Sequence, residues 1–516
     1  MMASRSNDTL FQLIHSLEKG EKRNFKLYAK RNSSNEDLKI IQLFDALDKM
    51  SVYDEGVLLG KLKLAKKDQL ANRKAHLYKQ ILASLRLLEN NNNIDLQLHE
   101  QLDHARLLYN KGLYLQSLKL LDKTKENAKE HHQASFLVQV LFLEKKIEAL
   151  HITRSLKDRA RQLSQESTEV VQNLAVLTQL SNLALELYGW YIHNGHARND
   201  EDEAVLTAFF KEHLPKDLSV IRGFYQHLYL YQSYCWYAFI RQDFLMYYRY
   251  TQKWVDLFHA TPAMIDIESA HYIKGMHNLL NAHFDLRNYP RFMKTLGRFE
   301  EFAGSDLVKR NENNRTQVFV YLYTAKLNRH FMEGTFTEGL TLVPELVEKL
   351  KSYALYLDQH RVLVFYYKIA SLYFGSGDYD NAIKYLNKII HWKVDLRNDL
   401  QSYARLLHLI SHYELGHMDL LEYLIKSVYR FMAKMQNLSA IDEAIFQFLR
   451  KSFHMSASKI RTEFSMLLET LKQFQDNRFA TRAFSYLDII SWLESKITNN
   501  HVQDVIRRKF LAKQGG

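Results

Sequence analysis

The amino-acid sequence predicts an all-α protein assembled as an α-solenoid of stacked helical hairpins. Three observations carry that expectation. Only 4 prolines and 17 glycines interrupt 516 residues, so long helices joined by short turns fit better than many strands. Apolar residues recur at helical spacing on both sides of the turns. One turn, clearest at Phe374-Gly375-Ser376-Gly377-Asp378-Tyr379, returns in altered form along most of the chain.

The recurring element is an aromatic, two residues, a glycine or polar residue, one more residue, then a second aromatic. It reads Tyr109/Gly112/Tyr114, Phe239/Gln242/Phe244, Phe284/Arg287/Tyr289, Phe331/Gly334/Phe336 and Phe374/Gly377/Tyr379, with weaker copies at Ile192/Gly195/Ala197 and Tyr413/Gly416/Met418. From residue 192 onward the first positions lie 47, 45, 47, 43 and 39 residues apart, and the 83-residue gap after Tyr109 leaves room for a degenerate copy near His151 to Leu156. Each turn should join two antiparallel helices of roughly 15 to 20 residues. The glycine sits where the first helix must stop, because a left-handed residue after the helix end costs glycine nothing. Asp378, Thr335 and Asn288 then stand where a polar residue caps the second helix, and Pro290 sits just inside one. Thr261-Pro262 reads as the start of a first helix. The aromatic pairs are expected to plug the seams between neighbouring hairpins.

Tyr366, Ile369, Ala370, Tyr373, Gly377, Tyr379, Ala382, Leu386 and Ile389 resemble the tetratricopeptide repeat, matching nine signature spacings before that family's terminal proline. Ala105/Gly112/Tyr114/Ser117 follow it less closely. Elsewhere the small positions are large (Tyr188, Leu280/Phe292, Leu409/Leu421), the terminal proline is missing and the period exceeds 34 residues, so a HEAT-like assignment stays open for those copies. The resemblance implies a right-handed superhelix of about eight elongated hairpins over residues 96–440, with helical caps at both ends. It also implies an inner face lined by the first helix of each hairpin. The family's inward spacing falls on Tyr229, Gln232 and Trp236, then Lys274, His277 and Asn281, then Tyr321, Thr324 and Asn328, and finally Tyr367 and Ser371. Asn281 and Asn328 share one repeat position, and their amides offer donor and acceptor together, as a peptide backbone requires.

Residues 1–95 lack the turn and read as four helices, Asn7 to Leu17, Glu21 to Arg31, Glu36 to Lys49 and Gln69 to Glu89, with a short Asp54 to Lys63 segment. Asn90 to Asn93 is the clearest linker. Residues 441–516 read as three closing helices, Ala444 to Ser452, Ser458 to Phe474 and Ala480 to Lys496, followed by a basic tail with Arg507, Arg508, Lys509 and Lys513. The segment 61–86 is basic, with Lys66, Lys67, Arg73, Lys74 and Lys79 against Asp68 alone, and its two helices with a short turn fit a helix-turn-helix that binds nucleic acid.

Little points to chemistry. Cys235 is the only cysteine, so neither a disulfide framework nor a multi-cysteine zinc site is expected, and its apolar surroundings read as core. His408/His412 with Glu414 and His417 is the best metal-like cluster, but it lacks the glutamate that follows the first histidine of a zincin helix. Gly375-Ser376-Gly377 has no lysine-serine/threonine pair after it and serves the turn. The acidic run Asn199 to Glu203 lacks calcium-loop spacing and reads as a solvated helix start. No catalysis, metal or cofactor is expected. The most apolar stretch, Leu228 to Ile240, is too short to span a bilayer and no apolar leader follows Met1, so the expected location is cytoplasmic. The net charge of +12 is a modest bias toward acidic partners. The sequence-level expectation is a non-enzymatic scaffold that binds a peptide or partner helix, with nucleic-acid binding through 61–86 as the alternative.

Overall fold

The computed structural model describes residues 8–31, 35–62, 67–90, 93–151, 158–354, 356–392, 398–435, 438–452, 455, 457–474 and 488–514. Every regular element among them is helical. The chain divides into two compact units, Met1–Leu174 and Ala175–Gly516. In order, the helices are α1 (Thr9–Ser16), α2 (Lys19–Lys30), α3 (Asn35–Asp48), α4 (Glu55–Lys61), α5 (Lys67–Glu89), α6 (Ile94–Asn110), α7 (Tyr114–Glu130), α8 (Ala134–Leu150), α9 (Arg159–Asn194), α10 (Asp200–His213), α11 (Phe224–Ile240), α12 (Phe244–Ala260) and α13 (Ala263–Ile267). They continue as α14 (Ser269–Asp285), α15 (Tyr289–Ala303), α16 (Asp306–Lys309), α17 (Glu312–Glu333), α18 (Phe336–Gly339), α19 (Val343–Ser352), α20 (Gln359–Ser376), α21 (Tyr379–Ile390), α22 (Asn398–Glu414), α23 (Met418–Lys434), α24 (Ala440–Ser452) and α25 (Ala457–Lys472). Two closing helices, Ile489–Thr498 and Val502–Gln514, follow.

In the first unit, α5 packs on α2 and α3 around Phe25, Leu43, Phe44, Leu77 and Ile81, all buried. Asp8 and Asp54 cap α1 and α4 by accepting from the Phe11 and Val57 amides at 2.9 and 3.0 Å. The next hairpin, α6 and α7, brings Ala105 and Ser117 together fully buried, and the Ser117 hydroxyl donates to the Ala105 carbonyl at 2.8 Å. Small side chains at both positions are what let these backbones approach.

The turn residues behave as their spacing predicts. Gly112, Gly195, Gln242, Arg287, Gly334, Gly377 and Gly416 all have positive φ, between 51° and 89°. A non-glycine residue there costs about 1–2 kcal/mol. Gln242 and Arg287 bear that cost because each turn closes two backbone bonds: Gln242 N donates to Phe239 O at 3.1 Å and Asp243 N to Ala238 O at 2.9 Å, and Arg287 N to Phe284 O at 3.0 Å and Asn288 N to His283 O at 2.9 Å, as Gly377 N and Asp378 N do to Phe374 O and Tyr373 O. Asp378 and Asn288 also cap the helices that follow. Thr335 makes no cap bond; its hydroxyl donates to Glu333 instead. The second unit then builds by neighbours: α11 packs on α12, α12 on α14, α14 on α15 and α17, α17 on α20, and α20 on α21 and α22. In the best repeat Ala370 and Ala382 are fully buried, and Phe374 meets Tyr379 edge-on at 5.4 Å.

Three elements differ from expectation. Helix α9 runs 36 residues, where helices of half that length were expected; the degenerate turn placed near 151–156 lies mostly outside the described residues. The second helix after Gly334 is broken into α18, a 3-10 turn and α19, with Pro344 in the first turn of α19; the proline removes an amide donor that a continuous helix would need. The basic tail is no tail. Helix Val502–Gln514 folds back on α17 and α20, with Gln503 accepting from the Thr337 amide and hydroxyl, Arg507 donating to the Glu333 carbonyl at 3.2 Å, and Phe510 edge-on to Tyr289 at 4.8 Å. A strictly linear repeat stack touches only its neighbours, so this return is a departure from one. The closing helix expected over Ala480 to Lys496 begins at Ile489 within the described residues.

Gly334 therefore answers to two demands. Its φ is +70°, and a Cβ there would come 2.4 Å from the Arg507 amide nitrogen, whereas one on Gly377 meets only the His501 ring at 3.6 Å. Gly377→Ala should cost about 1–2 kcal/mol from the backbone alone, and Gly334→Ala roughly 1–3 kcal/mol more from the clash. Thermal unfolding followed by circular dichroism checks the order: the melting temperature should fall further for Gly334→Ala.

Candidate functional site

In the second unit a cavity of about 790 Å³ is walled by the end of α9 and by α11, α14, α17 and α20. Helical spacing aligns its lining. Lys274, His277, Asn281 and Asp285 follow one face of α14, and Tyr321, Thr324 and Asn328 follow one face of α17. Helix α20 contributes Arg361, Phe365 and Lys368, while Tyr188, Tyr191, Trp236 and Phe239 make the wall at α9 and α11. The cavity runs obliquely across the hairpins. On α11 it uses Cys235, Trp236 and Phe239, three to seven residues before Gln242; on α20 it uses positions nine to seventeen before Gly377.

Of the eleven inward positions taken from the resemblance, seven line this cavity: Trp236, Lys274, His277, Asn281, Tyr321, Thr324 and Asn328. Tyr229 and Gln232 lie further from the turn on α11; Tyr229 sits edge-on to His271 at 6.1 Å. Tyr367 is buried, and the Ser371 hydroxyl donates to the Tyr367 carbonyl at 2.9 Å. Arg361, Lys368 and Asp285 are the functional-looking residues that the repeat spacing missed. For Arg361 and Lys368 the oblique course of the cavity is the reason, since it crosses α20 in a different register from α14 and α17; Asp285 lies one turn beyond Asn281 on the face of α14 that the spacing marks.

One end of the cavity is aromatic. Trp236 lies 5.1 Å from Tyr188 and 5.5 Å from Tyr191, ring centre to ring centre, and Tyr191 meets Phe239 at 5.3 Å. The other end is polar. His277 stacks on Tyr321 at 4.0 Å and 15°. Burial and the charges of Lys274, Arg361 and Lys368 hold its pKa well below the usual histidine value. The ring is thus neutral at pH 7, and Asn281 Nδ2 donates to its Nε2 at 3.0 Å. Lys368 Nζ donates to Asn328 Oδ1 at 2.6 Å and stands 5.4 Å from the Phe331 ring centre. Burial pushes Lys368 down to about 8 against the pull of Asp285, and pushes Asp285 up to about 7 against the pull of Arg287 and Lys368. Lys274 and Arg361 lie over the Tyr321 ring at 5.2 and 5.4 Å, and Arg361 pairs with Asp358 at 3.0 Å.

The other candidate positions have local roles. Lys66 lies outside the described residues, and Lys67 pairs with Glu55 at 3.4 Å in solvent. Lys74 is held by the Asp8 carboxylate and donates to the Tyr53 hydroxyl at 2.9 Å, which ties α5 to the cap of α1. Arg73 is half-buried and Lys79 exposed. His412 bridges His408 and His417 through its two ring nitrogens, at 3.3 and 2.9 Å, so the three cannot converge on one ion. Glu414 turns away and accepts from Trp492 at 2.6 Å and from Lys496. Asn199 caps α10 through the Asp202 amide, with four acids in the first turn. Cys235 is a free, buried thiol whose pKa burial drives up. Among the described residues no helix is long and apolar enough to cross a membrane. No protein-family model and no curated protein matches the chain.

Two outcomes follow from this packing. Cys235 should react with Ellman's reagent only as the protein unfolds, a rate read directly from absorbance with and without denaturant. Asn328→Leu, which leaves the Lys368 ammonium without its acceptor, should destabilise the fold by about 1–3 kcal/mol. Adding Lys368→Met should restore most of that loss in a double-mutant cycle of denaturant melts.

Proposed function

We propose that the protein is a non-enzymatic scaffold whose second unit binds an extended peptide segment of a partner protein in the cavity between α9, α11, α14, α17 and α20. In this reading the hairpins form a right-handed, tetratricopeptide-like solenoid, of about eight units with helical caps, and the cavity is part of its concave face. Left-handed residues at all seven expected turn positions support the repeat reading.

The observation that carries the functional reading is the composition of the wall. Aromatic rings, three carboxamides and three cations converge from consecutive hairpins on one space of about 790 Å³, within the range of pockets that enclose a small ligand or a few side chains. Carboxamides pair with a peptide backbone through donor and acceptor at once, and rings take up apolar side chains. The wall's one thiol is buried with a raised pKa, and its stacked histidine is engaged by Asn281. The basic segment 61–86 is the weaker site because Lys74 is already held by Asp8.

The test is equilibrium retention of a pool of random hexapeptides, N-acetylated and C-amidated, on immobilised full-length protein. Wild type should enrich a subset, and Asn281→Ala with Tyr321→Ala should lower retention of that subset about tenfold or more. Equal retention by both proteins would refute the site.

A further inference from the structure

Charge in the cavity is unbalanced. Lys274 and Lys368 both line it, and among the described residues neither has a carboxylate within ion-pair distance. Arg361 is different, being held by Asp358. The remaining carboxylate of the wall, Asp285, makes neither a hydrogen bond nor an ion pair among the described residues. An ammonium enclosed by protein loses hydration that one neutral amide from Asn328 replaces only in part. Such a pair of ammonium groups favours an anion beside it.

Resting on the peptide reading above, we propose that the bound segment presents an acidic side chain to Lys274 and Lys368, and that Asp285 takes up a proton as that side chain enters. Two carboxylates facing the same cations out of water repel, so one of them is favoured in its neutral form. Asp285 is the one already close to neutrality, because burial has raised its pKa to about 7. The other ionisable groups around this space are Tyr188 and Tyr191 on α9, Cys235 on α11, Tyr247 on α12, Lys274 and His277 on α14, Arg287 in the turn, Tyr321 on α17, Asp358 just before α20, and His360, Arg361 and Lys368 on α20. Burial drives His277, Cys235 and Tyr247 toward their neutral forms. Burial instead brings Asp285 up to about 7 and Lys368 down to about 8.

Both act in the same direction. Below about pH 7 Asp285 is protonated and Lys368 charged, which favours an anion. As pH rises, Asp285 gains its charge, then Lys368 loses its own, and binding weakens.

The experiment compares two pools of blocked hexapeptides on immobilised full-length protein, one with Glu and one with Gln fixed at the third position and all others randomised. At about pH 6 the Glu pool should be retained roughly tenfold better, and at about pH 8.5 that preference should largely vanish. Asp285→Asn should keep part of the preference at the higher pH, and Lys274→Gln should remove most of it at both; matching circular dichroism certifies the fold of each variant. Retention of the Gln pool without preference for Glu at the lower pH would overturn this proposal and leave the peptide reading standing. Retention of neither pool would overturn both. An Asp285→Asn protein with the wild-type pH profile would overturn the proton uptake.

Discussion

A single backbone constraint, the left-handed residue that closes each hairpin, sets the geometry on which the rest of the second unit depends. It stops one helix and sends the chain back within a few residues, with two backbone bonds made across the turn. Where the residue is glycine the conformation carries no steric cost; at Gln242 and Arg287 the bonds to Ala238 and His283 and the packing of both helices offset it. Repetition of that turn places the first helices α11, α14, α17 and α20 so that each gives one face to the same cavity. The cavity crosses these faces obliquely, close to the turn on α11 and further from it on α20.

The cavity carries an energetic tension that the apolar core around it absorbs. Phe292, Phe299 and Phe365 are almost completely buried, and burial of that kind is worth about 1.5–3 kcal/mol per side chain. Against it stand Lys368, Asp285 and neutral His277, which have left water for a space with few partners. Such groups are rarely kept for stability alone. The closing helix Val502–Gln514 adds a second restraint, since its backbone passes so close to Gly334 that no side chain fits between them. It fastens the turn between α17 and α18, next to the helix that supplies Tyr321 and Asn328.

Much of this was legible in the sequence, and the parts that were not have physical reasons. The turns were readable because glycine, flanking aromatics and a polar cap mark them jointly, and because even Gln242 and Arg287 keep the aromatic spacing. Helix α9 was not, since no proline or glycine marks where its expected partner helix would begin. The break at α18 had a visible signal in Pro344. Lys274, His277 and Asn281 could be placed from helical spacing on α14, and Tyr321, Thr324 and Asn328 likewise on α17. Arg361 and Lys368 could not, because spacing along a helix says nothing of the angle at which a cavity crosses it. The return of the basic C-terminal segment was equally hidden: charge predicts exposure, and Arg507 instead reaches the Glu333 carbonyl.

The most direct measurement of the central claim is hydrogen–deuterium exchange of the full-length protein with and without a Glu-containing hexapeptide selected from the retained pool. Slower exchange confined to the middle of α14, the middle of α17 and the first half of α20 is the predicted result, with α2 to α5 unchanged. Protection in α2 to α5, or protection in the second unit that omits α14 and α20, would contradict it.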